Sequence, residues 1–216
     1  SSDDLATGLA VDGTGNVYVA GGTLSFGLVW DSVVLKYSPD GTLLWQKTWG
    51  GDWMDKACAI GVDVSGNVYL AGETSSFGWN GEVMLLKYST DGVLLWQRTW
   101  GGDWEEYTYA LAIDGGGNVY VAGETNSFTT YKDVFLLKFS PAGSLLWQRT
   151  WGEAYWDKGL GLCVDGTSNV YVAGYTESFG EGLSDVLLLH FSSNGNLLSQ
   201  KTWGAGDYEW AGTVLL

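Results

Sequence analysis

Ala57–Thr74 reads ACAIGVDVSGNVYLAGET, two alternating stretches around a turn. In the first, Ala57, Ala59 and Gly61 alternate with Cys58, Ile60 and Val62, the period of two that a β-strand imposes. The second, from Asn67 to Thr74, is rich in β-formers and alternates as well. Between them Asp63, Gly66 and Asn67 supply turn chemistry: Gly and Asn tolerate positive φ, and Asp caps its own turn. The stretch is therefore a β-hairpin. Working outward, SSFGWNGE (75–82) is a longer loop and VMLLKYS (83–89) a third strand. TDG turns the chain, and VLLWQRTW (93–100) is a fourth strand. The whole is one antiparallel meander.

The meander recurs. Asn16, Asn67, Asn118 and Asn169 sit in the same Gly/Ser-Asn-Val-Tyr phrase, 51 residues apart. Copies one and two agree at 28 of 51 positions, so they are one unit repeated and not chance resemblance. The phrase Trp-Gln-Lys/Arg-Thr-Trp-Gly ends copies one to three at 45–50, 96–101 and 147–152. It returns one residue late at 199–204, with Ser199 in place of the first Trp. Four strands repeated about every 50 residues predict an all-β fold, a β-propeller of four four-stranded antiparallel blades per chain. The blades fall at about 1–51, 52–102, 103–153 and 154–205, in one repeat array over 1–216. In the first strand, Gly8, Ala59, Ala110 and Gly161 form a small-residue face opposite Leu9, Ile60, Leu111 and Leu162, which suits an innermost strand; the Trp-bearing fourth strand is expected outermost.

Composition narrows the function. Ten basic residues against 25 acidic ones give a net charge of −15, which argues against nucleic acid and anionic membranes as partners. No apolar run is long enough for a helical membrane span. Cys58 and Cys163 occupy non-equivalent positions of different copies, so a repeating disulfide staple is excluded; two free thiols or a single bridge remain open.

Units of the form A-x-A-[IL]-x-V-D-x-x-G-N-V-Y-[VL]-A-G-x-T-x-S-F, then D-V-x-L-L-K-[YF]-S-x-x-G-x-L-L-W-Q-[KR]-T-W-G, resemble the bacterial and archaeal β-propeller repeats called SBBP repeats. The resemblance covers nearly the whole chain. It implies a propeller in a secreted or cell-surface protein and implies no chemistry. The extracellular expectation rests on it, since no signal peptide is visible.

Strand direction alternates, so the long second-to-third loops and the inter-blade crossovers share one side. That side collects Phe26, Phe77, Phe128 and Phe179 from the loops, and Trp53, Trp104, Tyr155, Trp156, Tyr208 and Trp210 from the crossovers. Carboxylates are interleaved among them. Aromatic faces stack on the C–H side of a pyranose and carboxylates accept from its hydroxyls, so a carbohydrate or protein partner is expected here. Trp53, Trp79, Trp104, Trp156, Asp55, Glu106 and Asp157 are the candidate ligand-binding residues.

Other repeated residues read as structure. Trp49, Trp100, Trp151 and Trp203 are expected to wedge between blades, and Trp45, Trp96 and Trp147 to cover the sheet. Asp12, Asp63, Asp114 and Asp165 cap turns, since a calcium loop needs a denser acidic pattern. Lys36, Lys87 and Lys138, with His190 in the fourth copy, are expected to meet the Asp31, Glu82, Asp133, Asp185 series or the Asp4, Asp55, Glu106, Asp157 series. Gly115–Gly117 lies in a hairpin turn and forms no phosphate loop. No nucleophile is paired with a base, so the chain reads as no enzyme, with no catalytic residue, cofactor or metal site.

Residues 206–216 begin a fifth copy. Thr213, Val214, Leu215 and Leu216 would make a surplus strand, and an unpaired edge of that kind needs a partner. It closes the ring, passes to a neighbouring chain in dimers or polymers, or belongs to a longer array. The function expected is an extracellular scaffold binding through its loop face. The alternatives are a self-assembling subunit and an excised or engineered repeat fragment without native role.

Overall fold

The computed structural model describes residues 3–78, 80–181 and 183–212. Trp79 and Thr213, Val214, Leu215 and Leu216, the residues expected to make the surplus strand, therefore lie outside the described residues. Among the described residues, sixteen strands form four four-stranded antiparallel sheets, each in sequential order. The first holds β1 (Asp4–Val11), β2 (Val17–Thr23), β3 (Asp31–Tyr37) and β4 (Leu43–Trp49). The second holds β5 (Asp55–Val62), β6 (Val68–Thr74), β7 (Glu82–Tyr88) and β8 (Leu94–Trp100). The third holds β9 (Glu106–Ile113), β10 (Val119–Thr125), β11 (Asp133–Phe139) and β12 (Leu145–Trp151). The fourth holds β13 (Asp157–Val164), β14 (Val170–Thr176), β15 (Asp185–Phe191) and β16 (Leu197–Trp203). The chain divides into two compact units, 1–108 and 109–216, with the division inside β9.

The hairpin turns form because the sequence supplies their acceptors. Asp12 Oδ1 accepts from the backbone N–H of Thr14 (2.9 Å) and of Asn16 (3.0 Å), and Asp63, Asp114 and Asp165 repeat the pattern. Gly15, Gly66 and Gly117 take the positive φ the turn requires. In the fourth copy Ser168 takes that place at φ 64°, alone among described non-glycine residues, and its hydroxyl donates to Asp114 Oδ2 at 3.1 Å. One side-chain bond thus accompanies the strain of a left-handed non-glycine residue.

Each unit has its own core. In the first, Tyr18, Ala20 and Val34 of one sheet meet Ala57, Val68, Leu70 and Met84 of the next. In the second, Tyr120, Val134 and Leu136 meet Leu162, Val172 and Leu187. The fourth strands β4, β8 and β12 are mostly exposed, as outer edge strands should be. The tryptophans do pack between sheets: Trp49 Nε1 donates to Gln97 Oε1 (2.9 Å) and its ring lies 4.7 Å from that of Phe77. Trp151 repeats this with Gln200 and Phe179. Trp45 and Trp147 donate to the carbonyls of Thr90 and Ser193 in the neighbouring sheet. Trp203 is exposed.

The lysines do not meet the expected acids. Lys36 Nζ donates to the carbonyl and hydroxyl of Thr90, both at 3.0 Å, and Lys138 Nζ to the Ser193 carbonyl at 3.1 Å. Lys87 lies 3.9 Å from Asp63. Asp31 opens β3 and Lys36 nears its end, so about 3.3 Å of rise per residue carries the two to opposite ends of the strand. The lysine instead stands over Tyr18 and ties one sheet to the next sheet's turn. Cys58 and Cys163 are free thiols, and burial pushes Cys58 up to about 12.

Candidate functional site

The crossovers and the second-to-third loops are bonded to one another. The Asp55 N–H donates to the Trp30 carbonyl at 2.7 Å, and Ser75 N–H to the Met54 carbonyl at 2.8 Å. Ser76 Oγ receives the Trp53 N–H at 3.0 Å and donates its own proton to Asp55. Ser178 receives the Tyr155 N–H in the second unit, and the Tyr131 and Tyr155 rings pair at 6.1 Å. Short polar tethers therefore fix these loops while their aromatic side chains project outward. Trp53, Trp104 and Trp156 are 66%, 60% and 51% exposed.

The acids predicted beside them do not share that surface. Asp55, Glu106 and Asp157 are 0%, 1% and 0% exposed. Asp55 accepts from the Ser76 hydroxyl (2.6 Å), the Gly51 N–H (2.8 Å) and the Thr74 hydroxyl. Asp157 accepts from Ser178 at 2.7 Å. Each opens the first strand of its blade and turns inward, beneath the crossover, instead of facing the open loop surface. A tryptophan two residues earlier, or one earlier at Trp156, faces out because strand alternation has not yet begun there.

In the second unit the aromatics enclose a cleft of about 330 Å³, lined by Trp156, Tyr175, Glu177, Ser184, Tyr208 and Trp210. Its far wall is the segment after β16. The Glu209 N–H donates to the Ser184 carbonyl at 3.0 Å, as the Asp157 N–H does to the Lys132 carbonyl at 2.7 Å, so the start of the fifth copy docks like the start of the fourth. The Ala211 N–H also reaches the Gly174 carbonyl at 3.3 Å. Tyr175, Glu177 and Ser184 were not among the candidates. One signal marks Tyr175: copies two and three read Ala-Gly-Glu-Thr where the fourth reads Ala-Gly-Tyr-Thr. Lys158 Nζ stands 5.9 Å from the Tyr175 ring and pairs with Glu124 at 3.0 Å, which also holds Lys132 at 3.1 Å. Burial and the Glu124 charge raise Tyr175 against the pull of Lys158, so its hydroxyl stays a neutral donor.

No protein-family model matches the chain, and no curated protein matches it in sequence. Solved structures do match in fold. The β-propeller domain of the Trilobed protease from Pyrococcus furiosus, reported to have an open velcro topology, aligns at TM-score 0.55 and 5% identity, covering 94% of this chain and 58% of that one. A gluconolactonase from Xanthomonas campestris aligns at TM-score 0.52 and 15% identity, covering 93% and 63%. The chain thus spans about three fifths of each of those chains, and at such identities the likeness establishes the β-propeller fold alone.

Proposed function

We propose that the chain is a non-enzymatic propeller scaffold that binds a carbohydrate through its aromatic loop face, with a protein partner as the alternative ligand. The observation carrying this reading is the cleft lined by Trp156, Tyr175, Tyr208 and Trp210 with Glu177 and Ser184. Three or more aromatic planes with a carboxylate and a hydroxyl at the edge match a sugar ring's apolar faces and polar rim. Trp53 and Trp104 offer single platforms of the same kind in the first unit. An extracellular or surface setting, where such ligands are met, follows the SBBP-type resemblance.

A glycan array and pull-downs on the wild-type chain, Trp156→Ala and Trp210→Ala test it. The expected result is a signal in the wild type that falls at least tenfold in each variant. A signal unchanged in both variants, and in Trp53→Ala with Trp104→Ala, overturns it. Because one neighbour in fold is a gluconolactonase, lactone hydrolysis belongs in the same screen, and no turnover above buffer is expected.

A second reading is self-association. Leu5, Leu9 and Val11 on β1 are exposed, whereas their counterparts in the fourth copy include the buried Leu162. We propose that a second copy covers this face. Light scattering on a sizing column should then give a mass above 23.3 kDa that grows with concentration.

A further inference from the structure

Asp133 opens β11 and Asp157 opens β13, and the two carboxylates lean over Gly152 between them. A Cβ on Gly152 would lie 2.5 Å from Asp157 Oδ2 and closer still to Asp133 Oδ1, so both oxygens converge where no side chain can stand. Both residues are more than nine-tenths buried, Asp133 at 4% exposure and Asp157 at 0%. Asp157 Oδ2 accepts from the Ser178 hydroxyl and, at 3.3 Å, from the Glu153 N–H. Asp133 Oδ1 is buried without any hydrogen-bond partner. The lysines on either side are committed elsewhere, since Lys132 and Lys158 both pair with Glu124.

The arrangement is not peculiar to one junction. Over Gly50 a Cβ would lie 2.9 Å from Asp55 Oδ2 and closer to Asp31 Oδ1, which again has no hydrogen-bond partner. Over Gly204 it would lie 2.9 Å from Glu209 Oε2, also without one, and closer to Asp185 Oδ1. Over Gly101 it meets Glu82 and Glu106. Aspartate and glutamate interchange in these pairs, but a carboxylate always stands at each place. Two like charges removed from water are costly unless something positive joins them.

We infer that each of these pairs is the carboxylate half of a calcium site, the ion seated between the two acids above the glycine of the Trp-Gly or Thr-Trp-Gly phrase. Two carboxylates offer up to four oxygens, and backbone carbonyls of the loops with water complete a shell that calcium accepts in flexible geometry. Magnesium, which demands a tight octahedron, suits such a set less well. Among the described residues no third His, Cys, Asp or Glu joins any pair, so the sites are of modest affinity. The ions would tie the crossover of one blade to the third strand of the preceding one. This inference does not depend on the carbohydrate reading, because the paired acids lie beneath the open face.

The test uses the full chain, stripped with chelator and titrated with calcium chloride at pH 7.5 by calorimetry. Terbium luminescence excited through tryptophan is read in parallel, since Trp151 adjoins Gly152. Saturable binding is expected, with a melting temperature raised by about 5 °C or more at millimolar calcium. Asp133→Asn, which keeps the size and can donate to Asp157, should bind one equivalent fewer. Asp31→Asn, at the more open pair, should do the same and serves if the first variant fails to fold. No heat, no terbium emission and an unchanged melt up to about 10 mM calcium would overturn the inference. So would an unaltered stoichiometry in the folded variants. A protonated-carboxyl infrared band persisting at pH 7.5 in saturating calcium would also overturn it, assigning the pairs to a shared proton.

Discussion

Asp114 and Asp133 belong to the same blade, both are buried, and they live under opposite electrostatic conditions. Asp114 sits in the turn before β10. It accepts from the N–H groups of Gly116 and Asn118, the Asn118 amide, and the hydroxyls of Tyr120 and Ser168. Burial works against its charge, yet these bonds outweigh it and hold the carboxyl below the usual range. Asp165, served first by the Thr167 hydroxyl, falls to about 2. Asp133, at the other end of the blade, faces a second carboxylate and rises to about 6. Burial alone therefore does not decide the state of an acid. The number of donors aimed at it does, and one end of the blade has many while the other has few.

The largest effect is expected from breaking the saturated end. Asp114→Ala leaves a buried Tyr120 hydroxyl and two turn N–H groups without their acceptor. It should lower stability by about 3 kcal/mol in a urea titration. Asp12→Ala, whose turn is open to water, should cost clearly less.

Gly50→Ala comes next, at about 2 kcal/mol, because its Cβ collides with the carboxylates of Asp31 and Asp55 and displaces buried groups from their present placement. Thermal melts with and without calcium should show the variant insensitive at that pair.

A smaller effect separates the two ends by pH. The unfolded Asp133 ionises near 3.8 and the folded one near 6, so its carboxyl favours the folded state below pH 4. That contribution is lost as pH rises through 6. In chelator, Asp133→Asn should therefore match the wild type at pH 4 and exceed it by about 1–2 kcal/mol at pH 7.5. The opposite sign applies to Asp165, whose contribution is present above pH 4 and fades as pH falls toward 2. Equal pH profiles for wild type and Asp133→Asn would erase the contrast between the ends.

The smallest change in stability, within about 0.5 kcal/mol, is expected for Trp104→Ala, since an exposed platform contributes little to the fold. A larger loss on denaturation would move Trp104 from the binding face to the packing.

The turn end was legible because its partners lie within a few residues of each Asp. The Asp-x-x-Gly-Asn spacing alone places acceptor and donors together. The same local logic made the strands and their order readable, and alternation put Trp49 and Trp151 at sheet-to-sheet contacts. Tyr175 left only a faint mark, one departure from a repeated phrase. The acids Asp55, Glu106 and Asp157 were read as part of the aromatic rim because their neighbours in sequence are aromatic. The fold separates them, for the first residue of a strand can turn inward while the crossover residues before it stay outside.

By itself the sequence determined the repeat, the four-stranded meander, the turns and the face on which aromatics gather. These depend on period and on contacts between near neighbours. Only the tertiary structure decided which acids face water, which face each other over a glycine, and where the lysines reach. Such pairings join one blade to the next, and no local rule of spacing encodes a contact whose two halves are set by how sheets stack.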